Sequence, residues 1–128
     1  MAYYLSKRSR DRLEGLHVDL VQVVDRAIAL TPVDFTVLEG LRTKTRQEQL
    51  YAKGATTTMN SRHLTGHAVD LGAWVDTELR WDWPLYHQIA AAMKAAAELE
   101  NVPLEWGGDW TSFPDGPHFQ LPWKEYPV

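Results

Sequence analysis

Helical and extended segments occur in mixed order along the chain, the strands are short, and those near the end are joined by turns. These observations predict an α+β fold in which a small antiparallel sheet is flanked by helices. A length of 128 residues fits a single domain spanning residues 1–128, and 45% hydrophobic residues are enough to build a core. The net charge is −4 with no dominant charged block, which argues against nucleic acid as the main partner. There is no cysteine, so no disulfide and no thiolate-bound metal. The first residues, Met1 to Arg8, contain no apolar core of signal-peptide length, and no run approaches a membrane span. A monomer without stable membrane insertion is expected.

Ser6 is placed to cap a short basic helix from Lys7 to about Gly15. Its Lys7, Arg8, Arg10 and Arg12 read as a solvated face or as an attraction for anionic polymers. Leu16, Leu20, Val23, Val24, Ala27 and Leu30 follow helical spacing over His17 to Leu30, and Thr31-Pro32 stops that helix. His17, at its start, reads as structural. Asp34 to Leu41 reads as a core strand. Thr45-x-x-Glu48 predicts a capping box for a helix through Lys53, with Gly54 as its stop. Ala55 to Asn60 is a polar, threonine-rich loop.

Gly66 allows a bend, and Ala68 to Leu71 then reads as a strand bounded by Gly72. Alternation puts Ala68 and Asp70 on one face and Val69 and Leu71 toward the core. Ala73 to Trp81 reads as a hairpin or a loop with a strand; its acidic residues lack EF-hand spacing. Asp82 is placed to cap a helix with Pro84 in its first turn, burying Leu85, Ile89, Ala92, Met93, Ala96 and Leu99. His87 on this helix reads as a surface or packing residue. Asn101-Val-Pro103 ends the helix. Leu104 to Trp106 is a short strand, Asp109 to Phe113 a loop, and Pro114 to Pro117 a turn. His118 to Leu121 is the last strand, with His118 and Gln120 on one face.

His63, Asp70 and His118 stand out chemically. Two imidazoles and one carboxylate suit zinc and leave a fourth position open for water. Asp115 lies on the turn before His118, either as a proton acceptor or as a turn residue bonding its own backbone. Arg42, between a strand and a helix, offers a planar fork to a carboxylate or a developing oxyanion, or forms a surface salt bridge. Ser61 either hydrogen-bonds near the site or caps a loop, and nothing nearby would activate it as a nucleophile. Asp109 is placed to position a substrate amine or orient a ligand histidine. His63 and His67 have the spacing of a helical zinc pair, but Gly66 and the strand-like run after it oppose a helix. Trp81, Trp106 and Trp110 line a groove or pack in the core.

The pattern Ser61-x-His63-x-x-Gly66-x-Ala68-x-Asp70, followed far downstream by Asp115-x-Pro117-His118, resembles the zinc D-alanyl-D-alanine carboxypeptidase family. That family includes VanX- and VanY-type peptidases and the L-alanyl-D-glutamate endopeptidases that phages use as endolysins. Glu39 to Thr43, Arg46-Gln47, Leu50-Tyr51, Gly54 to Thr56 and Trp106 to Trp110 extend the resemblance over nearly the whole chain, on the endolysin branch. The resemblance implies the fold shared with the hedgehog signalling domain and one catalytic zinc on His63, Asp70 and His118. It also implies Asp115 as the catalytic acid or base, Arg42 as a substrate or transition-state contact, and a variable residue at His67. The implied substrate is the peptide stem of peptidoglycan, cut at the L-alanyl–D-glutamate bond to lyse a host cell. The protein would then wait in the host cytoplasm until a membrane-permeabilising partner releases it to the wall. A D,D-carboxypeptidase or dipeptidase of the same chemistry, and a non-catalytic wall-binding module, are the rival readings.

Overall fold

The sheet is organised around one long central strand. In the computed structural model, which describes residues 2–56 and 58–127, the first elements are α1 (Lys7–Arg12), α2 (Val18–Leu30), β1 (Phe35–Glu39) and α3 (Lys44–Ala52). A 3-10 turn (Arg62–Thr65) leads into β2 (Ala68–Val75), β3 (Glu78–Arg80) and α4 (Trp83–Glu100). The chain closes with β4 (Glu105–Trp106), a second 3-10 turn (Gly107–Asp109) and β5 (His118–Gln120). This is the expected α+β architecture. Strand β2 pairs antiparallel with β1 along one edge. Its other edge is shared by β5, opposite Ala68 to Asp70, and β3, opposite Ala73 to Val75. Strand β4 adds outside β5. Among the described residues, no helix is long and apolar enough to cross a membrane.

Strand β2 does not stop at Gly72 as the sequence pattern predicts. A Cβ there would come within 2.8 Å of the Leu79 side chain and 3.0 Å of Leu38. The glycine makes room for its neighbours and the pairing continues to Val75. Asp76 and Thr77, both at positive φ (51° and 66°), then turn the chain into β3, the conformation that a tight hairpin requires.

Alternation along β2 sends Val69, Leu71 and Ala73 into the core, where they meet Phe35, Val37 and Phe119 of the sheet. Leu20, Val23, Val24 and Ala27 of α2 and Ile89, Met93 and Ala96 of α4 complete it, all fully or almost fully buried. Each large aliphatic side chain so buried stabilises the fold by about 1.5–3 kcal/mol. Ala68, on the Asp70 face, is also buried, so that face is covered at its start too.

Helix caps explain most boundaries. Ser6 accepts from the Ser9 amide and starts α1, which ends at Arg12, earlier than Gly15. The His17 side chain accepts from the Asp19 amide and caps α2, its structural role. Helix α3 is capped by Thr43, extended in backbone and accepting from Arg46, so the capping box expected at Thr45 and Glu48 lies inside the helix. Asp82 occupies the cap position of α4, but its carboxylate takes the Arg80 guanidinium instead of a backbone amide. The buried stripe of α4 centres on Met93 and includes Tyr86, Ala90 and Ala97. Leu99, expected in that stripe, lies roughly 120° round the helix from Met93 and is 61% exposed. Asn101, at a φ of 57°, closes the helix in the left-handed region.

Gly66 joins fold to site. It closes the Arg62–Thr65 turn at a φ of 76°, and an added Cβ would sit 2.6 Å from the Gly15 carbonyl oxygen. Gly54 has a similar φ of 74° but nothing within 4 Å of such a Cβ. Gly54→Ala should cost about 1 kcal/mol from backbone conformation alone. Gly66→Ala should cost clearly more in urea unfolding, because the turn must also move away from Gly15. Equal losses for the two variants would show that the close approach has no energetic weight.

Candidate metal centre

Three different local devices bring His63, Asp70 and His118 together. Ser61 accepts from the His63 amide and starts the 3-10 turn that carries His63. The His63 carbonyl accepts from the Arg42 amide (2.9 Å), docking the turn on the chain that leaves β1. Asp70 lies on β2 directly between Glu39 of β1 and His118 of β5. His118 enters β5 from the turn at Asp115, whose carbonyl accepts from the His118 amide (3.2 Å). Gly107 permits this approach: a Cβ there would lie 2.5 Å from the Asp115 carbonyl oxygen.

One ligand atom from each of the three residues lies within 4.8 Å of the others, an arrangement that can hold a metal ion. The His63 Nδ1–H donates to the Gly40 carbonyl (2.9 Å), which turns Nε2 toward Asp70. His118 Nε2 faces Gln120 Oε1 (2.8 Å), and its Nδ1 lies 3.2 Å from Asp70 Oδ1. Each imidazole is thus fixed by one ring nitrogen and presents the other inward, as metal-ligating histidines do. His63 Nε2 is 3.3 Å from Asp70 Oδ1, yet it is buried without a hydrogen-bond partner. Leaving such an atom unpaired costs about 1–3 kcal/mol, a cost that a bound cation would remove. The donor set therefore fits a divalent metal.

Charges in the cluster are strongly coupled. Burial disfavours ionised Asp70, but the contacts from His118 and His63 outweigh it and hold its carboxyl well below the usual range. Burial pulls the His118 pKa down, but the Asp70 hydrogen bond and charge, helped by Gln120 and Asp115, leave it raised. The Asp115 pKa is raised by burial and then by the charge of Asp70, with His118, His63 and Arg42 partly offsetting them.

The trio opens on a cleft of about 780 Å³ that is also lined by Arg42, Ser61, Asp115 and Trp110. Arg42 is nearly buried, with Nη2 3.8 Å from Asp70 Oδ2. It is not a free fork. Nε and Nη2 donate to the Glu39 carboxylate (2.7 and 2.9 Å), and Nη1 donates to Gln47 (2.8 Å). Gln47 in turn donates to the Thr58 carbonyl (2.6 Å), tying this network to the threonine-rich loop. Of that loop, Thr57 lies outside the described residues.

Other expectations are redirected. Asp109 touches neither a ligand nor the cleft: it is exposed and paired with Lys94 (2.7 Å) on α4. His67 turns toward Thr65, His17 and Tyr126 and stays outside the trio. Trp106 is a core residue whose Nε1–H donates to the Gly116 carbonyl (2.7 Å), and Trp81 stacks on Tyr86. Only Trp110 of the three lines the cleft, its ring centroid 5.2 Å from that of His118. The sequence assigns Glu39 no site role beyond its place in the Glu39 to Thr43 stretch, Glu105 none, and Gln120 only its face. Period-two spacing from His118 signals Gln120; Glu39 and Glu105 become visible only through strand pairing.

The family model for phage L-alanyl-D-glutamate peptidases matches residues 1–121. The chain belongs to this family. Within it, the L-alanyl-D-glutamate peptidase of Escherichia phage T5 is 29% identical over 119 residues, covering 90% of this chain and 87% of that protein. The L-alanyl-D-glutamate peptidase of Listeria phage A118 is 35% identical over 94 residues, 73% of this chain but only 32% of that longer protein. The crystal structure of the Serratia marcescens L-Ala D-Glu endopeptidase ChiX superposes with a TM-score of 0.92 at 44% identity, over 98% of this chain and 95% of that one. The phage L-alanyl-D-glutamate peptidase assignment thus rests on residues 1–121 together and not on the His63, Asp70 and His118 pattern alone.

The coupled charges predict a pH profile for the chelated, metal-free protein. The depressed pKa of Asp70 contributes stability above its unfolded value of about 4, lost as pH falls below it. The raised pKa of His118 contributes stability below its unfolded value of about 6.5, lost as pH rises through the folded value. The unfolding free energy should therefore be greatest between roughly pH 4 and 6.5, and Asp70→Asn should flatten both limbs. Denaturant titrations across pH check this; identical profiles for the two proteins would reject the coupling.

Proposed function

We propose that the protein is a zinc-dependent endopeptidase that cleaves the L-alanyl–D-glutamate bond of peptidoglycan stem peptides. The observation that carries the reading is the buried, unpartnered Nε2 of His63 facing Asp70 and His118 at the floor of a cleft beside Asp115. His63 would bind through Nε2, His118 through Nδ1 and Asp70 through a carboxylate oxygen. Zinc held there supplies Lewis-acid activation of water and of the scissile carbonyl near neutral pH.

The remaining work falls to the chain's own groups. Asp115 takes a proton from the attacking water and returns it to the departing amine nitrogen of D-glutamate. Its raised pKa brings it closer to the range in which a carboxyl exchanges protons near neutrality. Arg42, clamped on the Glu39 carboxylate and 3.8 Å from Asp70, holds the cleft floor in place and lines the space the substrate enters. Trp110 shields one side of His118 and limits water there. Similarity to the phage peptidases supports a biological role in host lysis. In that role the enzyme acts as a monomer, held in the host cytoplasm until it is released to the wall.

Mass spectrometry of fragments released from purified peptidoglycan tests the bond. New amino-terminal D-glutamate is expected, whereas release of terminal D-alanine would convert the reading to a carboxypeptidase. A chelator should abolish release and zinc should restore it. Asp115→Ala should lower kcat by about 10²–10⁴-fold while leaving zinc affinity close to that of the wild type. Full activity in that variant would remove Asp115 from the mechanism.

A further inference from the structure

The shortest strand of the sheet reaches the candidate metal centre through one side chain. Glu105 of β4 is the direct cross-strand partner of Gln120 of β5. Its Oε2 accepts from Trp110 Nε1 (2.7 Å) and from Gln120 Nε2 (3.4 Å). The other end of the same amide, Gln120 Oε1, lies 2.8 Å from His118 Nε2. Gln120 and His118 are 6% and 7% exposed, so water competes little for these contacts.

The hydrogen-bonding types allow one consistent arrangement. A carboxylate offers only acceptors, so Gln120 must turn its NH₂ group toward Glu105 and its carbonyl toward His118. An amide carbonyl accepts only, so His118 must carry its proton on Nε2, which leaves the Nδ1 lone pair facing the metal position. This matters because Asp70 Oδ1, 3.2 Å from Nδ1, pulls the other way: it favours a proton on Nδ1, where a metal could not bind. We propose that Glu105, acting through the amide of Gln120, holds the His118 proton on Nε2 against the pull of Asp70 and so reserves Nδ1 for the metal. Both are positioning residues. Trp110 belongs to the same device, since its indole N–H anchors the Glu105 carboxylate from the wall of the cleft. The consequence for metal binding rests on the zinc reading above; the location of the proton does not.

The test is zinc affinity, measured by competition with a chromophoric chelator, together with ¹⁵N NMR of the His118 ring. Glu105→Gln keeps the shape but lets the Gln120 amide rotate and donate to Nε2. Its zinc affinity should fall by about 10–100-fold, the usual effect of removing a partner of a ligand histidine. Gln120→Leu should fall at least as far. The reversed pair Gln120→Glu/Glu105→Gln restores an acceptor at Nε2 and should recover affinity close to wild type. Wild-type affinity in Glu105→Gln, or a reversed pair no tighter than Gln120→Leu, would overturn the proposal. If Gln120→Leu fails to fold, Glu105→Gln at its partly buried position decides alone. If the wild type binds no zinc, the metal reading fails, and the relay is judged on the metal-free protein. There Glu105→Gln should move the His118 tautomer toward Nδ1–H, and an unmoved population would overturn it.

Discussion

The site depends on Asp70 occupying the middle row of three antiparallel strands. Its neighbours are Glu39 on one side and His118 on the other. The same register sends Val69 and Leu71 into the core. A slip of one residue would exchange these faces, exposing two aliphatic side chains and burying a carboxylate among α2 and α4. The hydrophobic energy that sets the sheet therefore also sets the geometry of the trio. No separate scaffold is needed to aim Asp70. The glycine at position 72, which lets β2 run on into its hairpin, lengthens the strand that enforces this register.

Around Asp70 the chain balances charge instead of excluding it. Arg42 is shared between Glu39 and Asp70, and both imidazoles turn a nitrogen toward the same carboxylate. Buried ion pairs of this kind rarely add much net stability, because desolvation offsets the attraction. The unpaired Nε2 of His63 is a further cost. A cluster that is indifferent or unfavourable for folding, yet held by the central strand of the sheet, is what a preorganised binding site requires.

Much of this was legible from residue types and spacing. Ser61, Gly66 and Asp70 carry local signals, a cap, a left-handed turn and a period-two face, and the structure follows each. The pairing of distant segments is less visible. His118 could be joined to His63 and Asp70 only through ligand chemistry and resemblance, and Glu39 and Glu105 only through the sheet register. The errors are physical in origin. Thr43 and Thr45 are equally good caps by composition, and docking of the His63 turn beside Arg42 favours the earlier one. Leu99 matches a helical stripe until the position of Met93 in the core is known. Asp109 follows the Trp106 motif in sequence, but the second 3-10 turn swings it out to Lys94.

Arg62 adds a constraint on the other side of His63. Its guanidinium is buried, donates to the carbonyls of Leu121, Pro122 and Tyr126, and lies 4.1 Å from the centre of the Trp123 ring. Burial lowers its pKa, with Glu105 partly compensating. The residue next to His63 is therefore the anchor for the segment after β5. Shortening that segment would strand a cation in the interior one position from His63, so wear at the tail would be felt first at the floor of the cleft and not at the surface where it began.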